Sequence, residues 1–115
     1  MHEIGIANAV LDAARAAAEA RPGGRVRTVV LRLGELAGVD GGSLCFCFEA
    51  LSAGTPLAGA TLCIEPCPRR HRCRSCAEEF VVVDYRTTCT ACGHPDTACI
   101  GGDELELAYL ELEEP

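Results

Sequence analysis

The feature that most constrains this chain is a doubled motif. Cys73-Arg74-Ser75-Cys76 is followed, after twelve further residues, by Cys89-Thr90-Ala91-Cys92. A two-residue spacer folds into a tight knuckle whose backbone amides point back at the sulfurs, so each pair can grip one side of a tetrahedral ion. Two pairs at this separation are the sequence form of a four-thiolate zinc site, and Cys73, Cys76, Cys89 and Cys92 are the candidate ligands of a structural Zn(II). Gly93 after the second pair supplies the left-handed backbone that such a turn often needs, whereas Ala77 stands there after the first. Between the pairs, Phe80–Val83 and Tyr85–Thr88 read as the two arms of a short hairpin. A ribbon of this size has almost no apolar core, so metal would supply much of its folding free energy.

The rest of the chain bounds what can surround that ribbon. With 115 residues there is room for one compact domain, or for one small domain carrying a smaller insert. Hydrophobic residues make up 49% of it but aromatics only 4%, so the core is thin and a metal staple helps most. A net charge of −7 argues against a protein that coats phosphate backbones. No apolar run reaches membrane-spanning length, and Met1-His2-Glu3 lacks the start of a signal peptide. The expected location is therefore the cytoplasm. There, nine cysteines point to metal or free thiols rather than to a disulfide framework.

Along the chain, Ala7, Val10, Leu11, Ala14, Ala17 and Ala18 recur at helical spacing, which predicts an amphipathic helix over about residues 4–20, ended by Pro22-Gly23-Gly24. Val26–Leu33 reads as a strand with Val29, Leu31 and Leu33 on one face. A second helix begins at Asp40 or Ser43, both good N-caps, and carries Leu44, Cys47, Phe48 and Leu51 as its stripe before Gly54. Ala60–Glu65 reads as a second strand. After the cysteine-rich stretch, Glu104–Glu113 alternates carboxylates with leucines and slips phase around Ala108-Tyr109, which predicts a third strand with a bulge. The fold class is α+β: a small sheet of about three strands with two helices, plus an inserted zinc-ribbon domain. The domain division is 1–66 plus 103–115 for the α/β part and 67–102 for the ribbon.

In order, Met1-His2-Glu3, Leu33-Gly34-Glu35-Leu36, Gly38-Val39, Ser43-Leu44, Phe46, Phe48-Glu49-Ala50-Leu51, Gly54-Thr55, Gly59-Ala60, Ile64-Glu65, the paired C-x-x-C and Glu104-Leu105 resemble the HypA/HybF family of hydrogenase maturation nickel chaperones. The match runs from Met1 to about Leu112. Two departures stand out: Thr90, where the family often has proline, and the doubled Gly41-Gly42 near the second helix start. The resemblance implies no catalysis. It implies delivery of Ni(II), as transient cargo, to the large-subunit precursor of a [NiFe]-hydrogenase, together with a GTPase accessory protein. Some members also serve urease with its accessory proteins. No nucleic acid or membrane is implied, and a homodimer is compatible with the sequence.

The chemistry of the first residues fits that implication. Met1-His2 offers an α-amine, the amide nitrogen of residue 2 and an imidazole within one short chelate, and planar nitrogen donors suit Ni(II). A carboxylate could fill the fourth position: Glu3 is adjacent, and the family analogy adds Asp40, which also serves as an N-cap on the plainer reading. From the tripeptide by itself, His2 reads as an exposed polar residue near a helix start, and the full-length resemblance turns that reading toward a ligand.

Other residues are weighed against plainer readings. Cys45, Cys47, Cys63, Cys67 and Cys99 read as small hydrophobes or incidental thiols. His71 and His94, each two residues outside an outer cysteine, read as solvated imidazoles or as exchanging zinc ligands. Arg69, Arg70, Arg72 and Arg74 form a basic run, read as a solvated linker face or as a docking site for an acidic partner. Rival functions are a nucleic-acid-binding or protein-docking zinc ribbon and a thiol oxidoreductase. The acidic charge and the missing stacking aromatics weigh against nucleic acid, and two pairs in a ribbon lack the helix N-terminus that lowers a redox thiol's pKa.

Overall fold

Helix α1 spans Glu3–Glu19, and it buries Ala7, Val10, Leu11 and Ala14, the positions spaced to share one face. The coordinates are a computed structural model that describes residues 3–21 and 23–113. Strand β1 is Arg25–Gly34. Helix α2, Gly41–Ser52, is capped by Asp40, whose Oδ1 accepts the Ser43 amide at 3.1 Å. Strands β2 (Thr61–Cys67) and β6 (Leu105–Glu113) flank β1 in the order β2-β1-β6, so the last strand of the chain returns to the sheet begun by the first two.

The helices bury one stripe each against that sheet. Ala7, Val10, Leu11 and Ala14 of α1 and Leu44 and Phe48 of α2 form one cluster with Val26, Val29, Leu31, Leu57, Ala60 and Leu62. Leu107 and Leu110, three residues apart, both pack on this cluster, so the alternation of β6 does slip phase between them. On the sheet Arg32 of β1 pairs with Glu65 of β2 at 3.3 Å and with Glu106 of β6 at 3.5 Å, bridging all three strands.

The chain divides into two compact units. One comprises the chain to Arg32, Gly38–Glu65 and the chain from Glu106; the other comprises Leu33–Ala37 and Pro66–Leu105. The second unit is built on its own three-stranded sheet, in the order β4-β3-β5, from Arg70–Cys73 (β3), Glu79–Val81 (β4) and Thr97–Gly101 (β5). Leu33–Ala37 belongs to it because its backbone is clasped there: Gly34 N donates to Glu104 O at 2.7 Å, Glu35 N to Cys67 O at 2.9 Å and Leu36 N to Gly102 O at 2.6 Å.

This sheet corrects two expectations. The hairpin over Phe80–Val83 and Tyr85–Thr88 does not form. Asp84 and Tyr85 take φ of 53° and 61°, a left-handed step that ends the extended chain, and Tyr85–Thr88 forms no strand. The partner of β4 is instead β3, with Arg70 opposite Val81, His71 opposite Phe80 and Arg72 opposite Glu79. Consequently the run Arg69–Arg72 is no linker. Arg70 and Arg72 lie on the central strand and clamp Glu79, each through one Nη2 at 2.7 Å from a different carboxylate oxygen. Arg72 and then Arg70 hold the Glu79 carboxyl below its ordinary pKa.

Candidate metal centres

The ribbon's knuckles sit where β3 ends and before β5 begins. After Cys73 the chain turns so that the amides of Ser75 and Cys76 donate to Cys73 Sγ at 3.3 and 3.4 Å. The second knuckle repeats this geometry, with Ala91 N and Cys92 N donating to Cys89 Sγ at 3.3 and 3.4 Å. Each turn closes through a backbone bond, Ala77 N to Cys73 O and Gly93 N to Cys89 O, both at 3.0 Å. Both closing residues are left-handed, Ala77 at φ 65° and Gly93 at 77°. For alanine that conformation costs roughly 1 kcal/mol. Ala77 is exposed, so Ala77→Gly is expected to raise the ribbon's stability by about 0.5–1 kcal/mol. Denaturant unfolding of the two proteins checks this, and an unchanged midpoint would mean that the turn is unstrained.

The four sulfurs meet. Cys73, Cys76, Cys89 and Cys92 bring their Sγ atoms within 4.8 Å of one another, two buried and two exposed. Cys73 Sγ lies 3.6 Å from Cys92 Sγ, and Cys76 Sγ 3.6 Å from Cys89 Sγ. A tetrahedral Zn–S₄ site with bonds of about 2.3 Å has sulfur–sulfur edges of about 3.8 Å. A disulfide needs about 2.05 Å, so the geometry is a metal cage and all nine cysteines are free thiols. Amide donation prepares the thiolates. The Cys92 and Ala91 amides bring the Cys89 thiol down to about 6, and the Cys76 and Ser75 amides lower that of Cys73. Hydrogen bonds among the crowded sulfurs set them in conflict over protons, pushing Cys76 up to about 12 and raising Cys92. A dication removes that conflict.

The histidines take other work. His71 is 5% exposed, not solvated. Its Nε2 accepts Arg69 Nε at 3.0 Å and its Nδ1 meets Thr97 Oγ1 at 2.9 Å, while the Thr97 hydroxyl donates onward to Thr87 O. Burial, then Arg69, lowers its pKa, so the ring is a neutral tie between β3 and β5 with both nitrogens engaged. Exposed His94 accepts the Asp96 amide on Nδ1 at 3.1 Å. Neither belongs to the four-sulfur group, and among the described residues no other set of three or more His, Cys, Asp or Glu side chains converges on a metal-sized space. Cys45, Cys47 and Cys67 are half-buried and Cys63 and Cys99 exposed. Cys45 donates to Leu62 O at 3.6 Å, and burial raises its pKa.

Of the nickel candidates, Met1 and His2 lie outside the described residues. Glu3 and Asp40, far apart in sequence, come together: Asp40 N approaches Glu3 Oε2 at 3.5 Å. One carboxylate starts α1 and the other caps α2, so both helix N-termini carry acceptors at the same place. Periodicity alone gave no sign of this pairing.

A family model described as hydrogenase/urease nickel incorporation, metallochaperone, hypA matches residues 1–112. The chain belongs to the HypA family. Relatives agree along its whole length. The hydrogenase maturation factor HypA of Geobacter sulfurreducens is 42% identical over 113 residues, 98% of this chain and 100% of that protein. The Streptomyces avermitilis protein of the same name is 43% identical over 116 residues, 99% of this chain and 88% of that one. The solution structure of the Ni metallochaperone HypA from Helicobacter pylori matches with a TM-score of 0.66 at 22% identity, covering 100% of both chains. A solution structure titled HypA protein gives 0.74 at 21%, covering 100% of this chain and 98% of the other. Those two establish the HypA fold. HypA is a nickel metallochaperone family acting in hydrogenase and urease nickel incorporation, not an enzyme family. No helix among the described residues is long and apolar enough to cross a membrane.

Proposed function

We propose that this HypA-family chain binds Ni(II) at its N-terminus and helps deliver it to the large-subunit precursor of a [NiFe]-hydrogenase, alongside a GTPase accessory protein. The Met1 amine and the His2 amide and imidazole supply the nitrogen donors, and Glu3 or Asp40 the carboxylate. The observation that supports this reading is the donation of the Asp40 amide to the Glu3 carboxylate at 3.5 Å, which brings the first residue of α1 to the cap of α2. Zn(II) resides in the ribbon on Cys73, Cys76, Cys89 and Cys92, where it holds the fold and takes no part in transfer. The family description names urease beside hydrogenase, so urease accessory proteins are a second set of recipients.

An α-amine ligand makes a demand that few metal sites share. Any extension before Met1 converts the amine to an amide and removes the donor. Ni(II) titrated into extended and unextended full-length protein should bind the extended form at least about tenfold more weakly, a loss of about 1.4 kcal/mol. His2→Ala should match that loss, and Glu3→Gln should cost less. Affinity should rise with pH, because each amine or amide donor releases a proton on binding. Equal affinity of both forms would remove the N-terminal chelate. Normal hydrogenase maturation in cells carrying His2→Ala would remove the function.

A further inference from the structure

Two thiols outside the four-sulfur cage stand close together at the rim of the first sheet. Cys45 is on the first half of α2, and Cys63 is on β2, an edge strand in the order β2-β1-β6. Cys45 Sγ donates to Leu62 O at 3.6 Å. That carbonyl belongs to the peptide leading into Cys63, so by bond geometry Cys63 Cα lies no more than about 6.5 Å from Cys45 Sγ. Leu62 packs into the core, which turns Cys63 to the outer side of β2, where it is exposed. On an edge strand that side chain swings round toward α2 without crossing a neighbouring strand. Cys45 has room to meet it: a cleft of about 270 Å³ lies beside it, lined also by Glu49, Thr61 and Leu62.

The electrostatics agree with the distance. Burial raises the pKa of the Cys45 thiol first, and the negative charge of an ionised Cys63, then that of Glu49, raises it further. Cys45 is therefore held as a thiol while Cys63 faces solvent, which separates a waiting sulfur from an attacking one. The nearest other cysteines on these elements suit Cys63 less well. Cys67, four residues along the same strand, is about 13 Å away at Cα, and a disulfide needs Cα atoms within about 7 Å. Cys47 lies about 200° round the helix from Cys45.

We propose that Cys45 and Cys63 form a reversible oxidation site for hydrogen peroxide, closing to a disulfide that fastens α2 to the edge of the sheet. The Cys63 thiolate attacks one peroxide oxygen, the O–O bond breaks, and hydroxide leaves as the sulfur becomes a sulfenic acid. The Cys45 sulfur then attacks the Cys63 sulfur and the S–O bond breaks. The departing hydroxide takes the proton that Cys45 gives up and leaves as water. Two electrons pass from the thiols to the peroxide, which ends as two waters. The pair shares no sulfur with the zinc cage and stands whether or not the nickel chelate does.

The test treats the zinc-loaded full chain with one equivalent of hydrogen peroxide, blocks the remaining thiols by alkylation and digests with a glutamyl endopeptidase. Cleavage after Glu35, Glu49 and Glu65 puts Cys45 and Cys47 on fragment 36–49 and Cys63 on fragment 50–65. Mass spectrometry should find these fragments joined, with zinc content unchanged and the link gone after reduction by dithiothreitol. Cys47→Ser should keep the link, whereas Cys45→Ser and Cys63→Ser should each abolish it. Should a serine variant fold poorly, fragmentation of the joined peptides from the unaltered chain assigns the bond to Cys45 or to Cys47. Unlinked fragments, a link through Cys47, Cys63 joined to Cys67 or Cys99, or zinc lost before the link forms would each overturn the proposal.

Discussion

Cys73→Ser is expected to release the metal and unfold the ribbon while α1 and α2 persist. Cys73 is 1% exposed, its sulfur accepts two knuckle amides, and it stands 3.6 Å from Cys92 Sγ. The apolar interior cannot replace the metal. Of the four buried residues in the ribbon cluster two are themselves cysteines, leaving Phe80 and Val82, whose burial stabilises by roughly 1.5–3 kcal/mol each. Structural zinc contributes an apparent 10–16 kcal/mol or so in zinc-finger peptides near neutral pH. Metal analysis should find zinc lost, and amide exchange should accelerate across residues 66–105 while the buried stripes of both helices stay protected. A strong chelator acting on the unaltered protein should do the same. A ribbon that keeps its amide protection without metal would show that β3, β4 and β5 hold themselves together.

Gly34→Ala is expected to destabilise the protein by about 3 kcal/mol or more without touching a metal ligand. A Cβ on Gly34 would lie 2.1 Å from Gly102 O, 2.3 Å from Gly102 C and 2.6 Å from Glu104 N. All three atoms are backbone, so no side chain can swing aside. The clasp has to open, and with it go the bonds from Gly34 N to Glu104 O, Glu35 N to Cys67 O and Leu36 N to Gly102 O. Gly102, at φ 114°, has Arg69 Cα 2.7 Å from any added Cβ, so it too admits glycine alone. Gly5→Ala is the control: nothing lies within 4 Å of its new Cβ, and a helical Gly-to-Ala change is neutral or stabilising by up to about 1 kcal/mol. Denaturant midpoints decide the matter, and a Gly34→Ala protein that unfolds with its parent would mean that the clasp carries no stability.

Several elements were legible before any coordinates because their signals are local. The stripe Ala7, Val10, Leu11, Ala14 lies on one face of any helix, so α1 follows from spacing alone. Asp40 caps α2 through an amide three residues on, which is again a matter of short range. The C-x-x-C spacing dictates knuckles with amides aimed at sulfur, and the phase slip in Glu104–Glu113 reports a strand that changes face. Other features depend on which distant segments meet, and no local pattern encodes that. Arg70–Cys73 looks like a charged linker, since a hydrophobicity pattern does not count histidine as a core residue; it becomes the central strand because Arg69 and Thr97 satisfy both nitrogens of His71. Tyr85–Thr88 looks extended, yet two left-handed residues turn it away from β4. Gly34 looks like a strand terminator until Gly102 is seen against it, and no local pattern tells that the Asp40 amide meets the Glu3 carboxylate. Periodicity selects the elements because it acts through neighbours in one segment. The pairings among them are selected by backbone crossings, buried polar ties and the cysteine cage, all of which come into being only when the chain is folded.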